Sequence, residues 1–314
     1  MESDVKRVVS VSIGSSRRDA KAEVEVLGQK FLLERIGTDG SLEKAAQLFR
    51  DLDGKVAAFG LGGTDLYFIA GKRRYSFRDI LQLAGNAKLT PVLDGSGLKH
   101  TLEREAVRQL EPLMHWKGKK VLMVAAVDRF GMAEALSDAG ADMIYGDMIF
   151  SLGLPVPIRT IGALRNLAYT LLPILTRLPF KWFAPTGAQQ DKPLHDYRVR
   201  YYNWADVIAG DFPIINRYRP AQLPGKTIMA QTITPADREA LRAAGLARLV
   251  TTTPQLNGRN FGTNVMEAFF VALSGKNRAL TPDEYMDYIR RVNFKPQVWN
   301  LQAPGGPVQE ELPE

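Results

Sequence analysis

Two periods of apolar residues run through the chain. Short runs rich in valine, isoleucine and leucine at 8–13, 56–59, 66–69, 90–93, 119–126, 142–145, 205–209, 226–233 and 246–251 have the length and composition of buried strands. Residues 30–36 alternate like a half-buried strand. Between these runs the apolar positions recur at helical spacing. Ser41 caps a helix to about residue 52, with Leu42, Ala45, Ala46, Phe49 and Leu52 on one face. Further helices are expected over 75–84, 98–110, 130–139, 160–178, 235–244, 265–273 and 281–292. Thr234 and Thr281 stand as N-caps, each followed by proline at the first helical position. Strands that alternate with helices predict an α/β fold built on parallel sheets.

The stretch 117–147 is the most informative. It reads strand, tight turn, helix, strand, and ends on Gly146-Asp147. This is the anatomy of a Rossmann-like dinucleotide-binding unit, with an acidic residue about 20 positions after the turn to accept ribose hydroxyls. The turn departs from the glycine fingerprint. With Gly131 as the third glycine, Ala126 and Asp128 hold the first two places. Asp128 sets a negative charge where a pyrophosphate would approach bare backbone, and Arg129 is the cation that offsets it. Ala126, Asp128, Arg129, Phe130, Gly131 and Asp147 are therefore the expected cofactor-binding residues, joined by Thr251 and Thr252 at a later strand end. An ordinary strand–helix–strand unit without nucleotide is the competing reading.

The expected layout is a doubly wound Rossmann-like nucleotide domain over 115–275 with an insertion at 150–203, preceded by a smaller α/β substrate domain over 1–112. Residues 276–301 return as a helix that braces the first domain, and 303–314 form a disordered tail rich in proline, glycine and acidic residues.

Composition narrows the chemistry. The chain of 314 residues contains no cysteine, which excludes disulfides, thiolate metal sites and acyl-cysteine chemistry. Its three histidines, His100, His115 and His195, are too scattered for a histidine-built zinc site, and no metal is expected. The net charge of +7 suits phosphate- or carboxylate-bearing partners, but no nucleic-acid motif accompanies it. No apolar run reaches the roughly 18 residues of a membrane span, and the first residues lack the apolar core of a signal peptide, so a cytoplasmic protein is the default expectation. The segment 159–183 combines an apolar face (Leu164, Leu167, Ala168, Leu171, Leu172, Leu175) with basic residues, the pattern of a lid, an interface helix or a peripheral membrane contact. Self-association stays open.

Several loops collect polar groups at strand ends. Ser15, Ser16 and Arg17 follow the first strand and offer hydroxyl, N–H and guanidinium donors to an anion. The cluster Gly60-Leu61-Gly62-Gly63-Thr64-Asp65 allows close backbone approach to a ligand, or forms a tight turn. Asn257, Arg259 and Asn264 fall in a polar loop after another strand. Asp94, at a strand end, and Lys99, on the following helix, have the types needed to orient a hydroxyl and move its proton.

The order strand, Asp94-Gly95-Ser96-Gly97-Leu98, helix, then Gly118-Lys119-Lys120-Val121-Leu122 and a nucleotide-type turn is similar to the shikimate and quinate 5-dehydrogenase family. Asp94, Gly95 and Gly97 match its Asp-Gly-x-Gly junction. The family's Asn-Thr pair and its lysine motif are absent here. The resemblance implies an NAD-dependent dehydrogenase acting on a ring hydroxyl of a small hydroxy acid, with Asp94 catalytic and Lys99 or Lys72 standing in for the lysine. Ser15 and Ser16 echo the family's substrate loop, and with Arg17, Thr64, Asn257, Arg259 and Asn264 from the polar strand-end loops they are the expected substrate contacts. Asp147 would favour NAD over NADP by repelling a 2′-phosphate. The alternative is a non-catalytic nucleotide-binding or membrane-associated interaction protein on the same fold.

Overall fold

The computed structural model describes residues 5–71, 73–177, 196–253, 255–256, 259–304 and 306–312, with backbone only at 255, 256, 259 and 260. In chain order its elements are β1 Lys6–Ser12, a 3-10 turn Ser16–Arg18, β2 Ala20–Val26, β3 Gln29–Gly37, α1 Leu42–Leu52, β4 Ala58–Gly62, β5 Phe68–Ala70, β6 Arg73–Tyr75, α2 Arg78–Ala84, β7 Val92–Leu93 and α3 Ser96–His100. There follow α4 Leu102–Met114, β8 Lys120–Met123, α5 Phe130–Asp138, β9 Asp142–Tyr145, α6 Asp147–Phe150, α7 Ile161–Leu175, α8 Val199–Trp204, β10 Val207–Gly210, α9 Phe212–Tyr218, β11 Thr227–Ala230, α10 Pro235–Ala243 and β12 Arg248–Thr251. The chain closes with β13 Gln255–Leu256, β14 Arg259–Asn260, α11 Thr263–Ser274, α12 Pro282–Arg291, β15 Gln297–Asn300 and β16 Val308–Glu310.

Two compact units result. Unit 1 is Met1–Thr101, Thr170–Gln190 and Gly262–Phe294; unit 2 is Leu102–Tyr169, Asp191–Phe261 and Lys295–Glu314. Each has its own mixed sheet with a parallel core, so the fold is α/β in both.

The unit 1 sheet has the order β2-β3-β1-β4-β7. β1 lies between two parallel neighbours, β3 and β4, which is why Val8 to Ser12 are all buried and the three valines among them need no polar partner on the sheet faces. β2 pairs antiparallel with β3 through a two-residue turn at Leu27-Gly28, both at positive φ (51° and 73°). The sequence reading missed β2. Its Ala-Lys-Ala-Glu-Val-Glu-Val pattern looks soluble because an edge strand carries charge on its open face.

The unit 2 sheet has the order β16-β15-β12-β11-β10-β8-β9. From β9 to β12 all pairings are parallel, while β15 and β16 add antiparallel strands beyond β12. Numbered along the chain, the parallel strands run 2-1-3-4-5, whereas the dinucleotide-binding arrangement is 3-2-1-4-5-6. The order reverses between β8 and β10. β16 falls within the tail expected to be disordered; it is held by pairing with β15 and by Arg248 Nε donating to Glu310 at 3.0 Å.

Three other expectations change. The helix expected over 98–110 is two, α3 and α4, separated at Thr101, whose hydroxyl donates back to Gly97 O at 2.8 Å. α11, expected in the nucleotide domain, belongs to unit 1, where Asn264 Nδ2 donates to Ser10 Oγ at 2.7 Å. The apolar face of α7 is spent inside the protein: Leu164, Ala168 and Leu172 are buried. No helix among the described residues is long and apolar enough to cross a membrane. Residues 178–195, most of the remaining insertion, lie outside the described residues.

Candidate functional site

In open α/β sheets, ligands bind beyond the carboxyl ends of the strands, where the strand order reverses. In unit 2 that point lies between β8 and β10. The turn Val124–Arg129 leaves β8 there, and Gly210-Asp211 leaves β10. The two segments touch closely. Gly210 has φ +129°, and a Cβ on it would lie 2.9 Å from Val124 Cγ2.

Arg129 is the centre of this edge. It is 5% exposed and its guanidinium pairs with Glu103, a fully buried carboxylate in the first turn of α4. Asp128 lies 3.8 Å from its Nε and Asp211 3.9 Å from its Nη2. Gln231, at the end of β11, donates its amide to Glu103 at 2.7 Å and also to Thr252, beyond β12. Its Oε1 is buried with no hydrogen-bond partner among the described residues. Thr232 next to it has φ +60°, an unusual conformation for a β-branched residue, of the kind held at functional sites. Carboxyl ends of four parallel strands therefore converge on one buried polar network.

Of the expected cofactor residues, Ala126, Asp128, Arg129, Thr251 and Thr252 are brought to this edge, while Phe130 and Gly131 are buried in the first turn of α5. Asp147 has a different task from the one expected. Its carboxylate accepts from Val127 N–H at 2.9 Å and Ala126 N–H at 3.2 Å, so it anchors the very turn whose N–H groups a pyrophosphate would need. Burial pushes its carboxyl up to about 6, Asp128 acts in the same direction, and the two N–H bonds oppose.

That shift has a measurable sign. Between pH 6 and pH 4 the folded chain holds a proton that the unfolded chain has released, because the folded group is the weaker acid. Asp147 therefore costs stability above pH 6, and the cost vanishes as the pH falls to 4. About two pH units of linkage amount to about 3 kcal/mol at most. The unfolding free energy of the wild type minus that of Asp147→Asn should fall as the pH is raised from 4 to 7. Urea melts of both proteins at four pH values measure it, and a constant difference would remove the assignment.

Unit 1 distributes its expected site residues otherwise. Asp94 is 4% exposed, and its oxygens accept from Tyr67 N–H at 2.8 Å and Ser96 N–H at 3.0 Å. It is an anchor for two backbone segments. Lys99 is buried and donates to Asp65 at 2.5 Å, so the expected Asp94–Lys99 pair does not form. In the Ser15–Arg17 loop the chain supplies its own anion. Ser16 N–H donates to Asp39 at 2.8 Å and Arg17 N–H to Ser15 Oγ at 3.3 Å. The glycines in the second half of β4 and just after it admit neighbouring chain. A Cβ on Gly60 would lie 3.0 Å from Asn264 O, and one on Gly63 2.9 Å from Gly14 N. Thr64 is buried, and its hydroxyl has no partner among the described residues. Lys72, Asn257 and the side chain of Arg259 lie outside the described residues.

Sequence reasoning missed Glu103, Asp211 and Gln231 at the strand ends of unit 2, and Tyr285 in unit 1. A signal existed for Asp211 and Gln231, since each is the first polar residue after an apolar strand. Glu103 carried none, because an acid in a first helical turn is ordinary.

The fold and site define an α/β protein of two units, with ligand-type groups gathered at the strand ends of the second. The family model described as Domain of unknown function (DUF8754) matches residues 97–301, and that described as Domain of unknown function (DUF8753) matches residues 7–94. The first match spans more than half of the chain, and the chain belongs to that family. No curated protein matches the sequence. Among solved structures it is similar to a substrate-binding protein of a sugar ABC transport system from Bordetella parapertussis (12% identity, 87% of this chain and 80% of that one, TM-score 0.33). It is also similar to GanP, a glucose-galactose binding protein from Geobacillus stearothermophilus (10% identity, 95% and 98%, TM-score 0.36). A likeness this distant says nothing of ligand or activity.

These findings correct the expected resemblance. The matching family models are not those of the shikimate and quinate 5-dehydrogenases, and the similar structures are mainly sugar-binding proteins of ABC transporters. The assignment as an NAD-dependent oxidoreductase of that family does not hold; Asp94, which it made catalytic, accepts from two backbone N–H groups.

Proposed function

We propose that unit 2 binds a small, neutral molecule carrying several hydroxyls at the carboxyl ends of β8 and β10. The observation that carries this reading is the setting of Arg129 at the point of strand reversal, paired with Glu103 and within 4 Å of Asp128 and Asp211. A hydroxyl both donates and accepts, so a set of hydroxyls matches an array that mixes guanidinium donors with carboxylate acceptors. A phosphate or a substrate carboxylate only accepts, and it would meet three carboxylates around a single guanidinium. The charge pattern thus disfavours the dinucleotide that the local strand–turn–helix pattern suggested.

Calorimetry of the full chain against neutral sugars and cyclic polyols, with NAD and small hydroxy acids as the contrasting set, tests the proposal. Saturable binding of a neutral polyol is expected. Asp211→Asn should weaken it about tenfold, the scale of losing one hydrogen bond to a charged group. Binding confined to the anionic compounds would overturn the reading.

A further inference from the structure

The Asp-Gly-x-Gly segment of unit 1 is built around a side chain far away in sequence. Glu267, in the second turn of α11, is 2% exposed. Its Oε2 accepts from Gly95 N–H at 2.6 Å. Its Oε1 accepts from Gly97 N–H at 3.1 Å and from the Tyr285 hydroxyl, on α12, at 2.6 Å. One carboxylate therefore ties the turn between β7 and α3 to two other helices. The fit is tight. A Cβ on Gly97 would overlap Glu267 Oε1 and the Tyr285 ring, and Gly95 sits at φ +94° with room for no side chain beside Thr263.

We propose that Glu267 is a proton-operated latch: as a carboxylate it clamps the β7–α3 turn to α11 and α12, and on taking up a proton it releases that turn. All three of its partners are donors. A protonated carboxyl carries a hydrogen of its own: on Oε2 it faces the Gly95 N–H, and on Oε1 it is accepted only if the Tyr285 hydroxyl turns its own hydrogen away, and in either case the charge-assisted bonds from Gly95 and Gly97 become bonds to a neutral group. The groups facing it hold it close to this change. Burial comes first, then the negative charge of Asp94, against the bonds from Tyr285, Gly95 and Gly97, and together they push its carboxyl up to about 7. Four cations on neighbouring elements are engaged elsewhere. Lys99 of α3 pairs with Asp65, Lys6 of β1 donates to Ala272 O towards the far end of α11, and Arg7 of β1 and Arg35 of β3 pair with Glu34 and Asp19. β4, which also packs on α11, carries no ionisable side chain.

Amide hydrogen exchange of the full chain, followed by NMR from pH 5.5 to 8.5 and corrected for intrinsic rates, reads the latch directly. Protection at the Gly95 and Gly97 amides should fall about tenfold or more on acidification, with a midpoint near 7, while Val9 and Phe59 in the sheet stay constant. Asp94→Asn removes a charge that favours the proton, so the midpoint should move to lower pH. Tyr285→Phe removes a bond that favours the carboxylate, so it should move to higher pH. A purely structural Glu267 would leave the midpoint where it is in both variants. Protection independent of pH in the wild type, or a midpoint unmoved by both substitutions, would overturn the proposal. Should one variant fail to fold, the other and a carbon-13 titration of the wild-type Glu267 carboxyl decide it.

Discussion

Gly97→Ala is expected to destabilise unit 1 by about 3 kcal/mol, at the upper end of what overpacking a filled interior costs. The added methyl would land on Glu267 Oε1 and on Cε2 of Tyr285, with Cζ of that ring at 3.0 Å. Neither neighbour can yield cheaply. Glu267 is held by bonds from Gly95, Gly97 and Tyr285, and the Tyr285 hydroxyl also accepts from Leu280 N–H at 3.3 Å. Movement of either breaks buried hydrogen bonds, each worth about 1 kcal/mol or more when a donor is left unsatisfied. Gly118→Ala makes a sharp control. Gly118 has φ +74° but nothing within 4 Å of the added methyl, so it should lose only the conformational term of about 1–2 kcal/mol. Urea denaturation of both variants separates contact from conformation. Equal losses in the two would mean that the carboxylate clamp around Gly97 is loose.

The same segment shows how far the sequence could be read. Elements whose cause is local were legible. Ser41 caps α1, Thr234 and Thr281 form capping boxes with Asp237 and Glu284, and β9 spans Asp142–Tyr145 as its apolar run required. The alternation of strands and helices gave the α/β class because burial on both faces of a parallel strand writes itself as an apolar run. The meaning of the polar residues was not legible, because their partners lie far along the chain. Asp-Gly-Ser-Gly looks like a catalytic junction until Glu267, 172 residues after Gly95, is seen to fill it. Asp147 stands where a ribose-binding acid would stand, yet only the folded turn shows its oxygens committed to Ala126 and Val127. A backbone N–H group that receives a carboxylate from its own chain and one that awaits a phosphate have the same sequence around them.

Arg129→Leu is expected to cost about 3–5 kcal/mol, because it strands the fully buried Glu103 carboxylate without its guanidinium. Glu103→Leu should cost less. Arg129 then keeps Asp128 and Asp211 within 3.8 and 3.9 Å, so its charge is still met, and Gln231 keeps Thr252 as an acceptor. Replacing both residues together should restore much of the loss, since a buried ion pair exchanged for apolar side chains of similar size is often neutral or better. The interaction energy from the double-mutant cycle should therefore be favourable and well above the 0.5 kcal/mol scatter expected for independent sites. The restored double variant separates stability from function. If the strand ends of unit 2 hold the ligand through Arg129, the double variant should fold as well as the wild type and yet fail to bind the polyol that the wild type binds. Additive single losses would show that the pair is screened by solvent. A stable double variant with full affinity would move the ligand site away from Arg129.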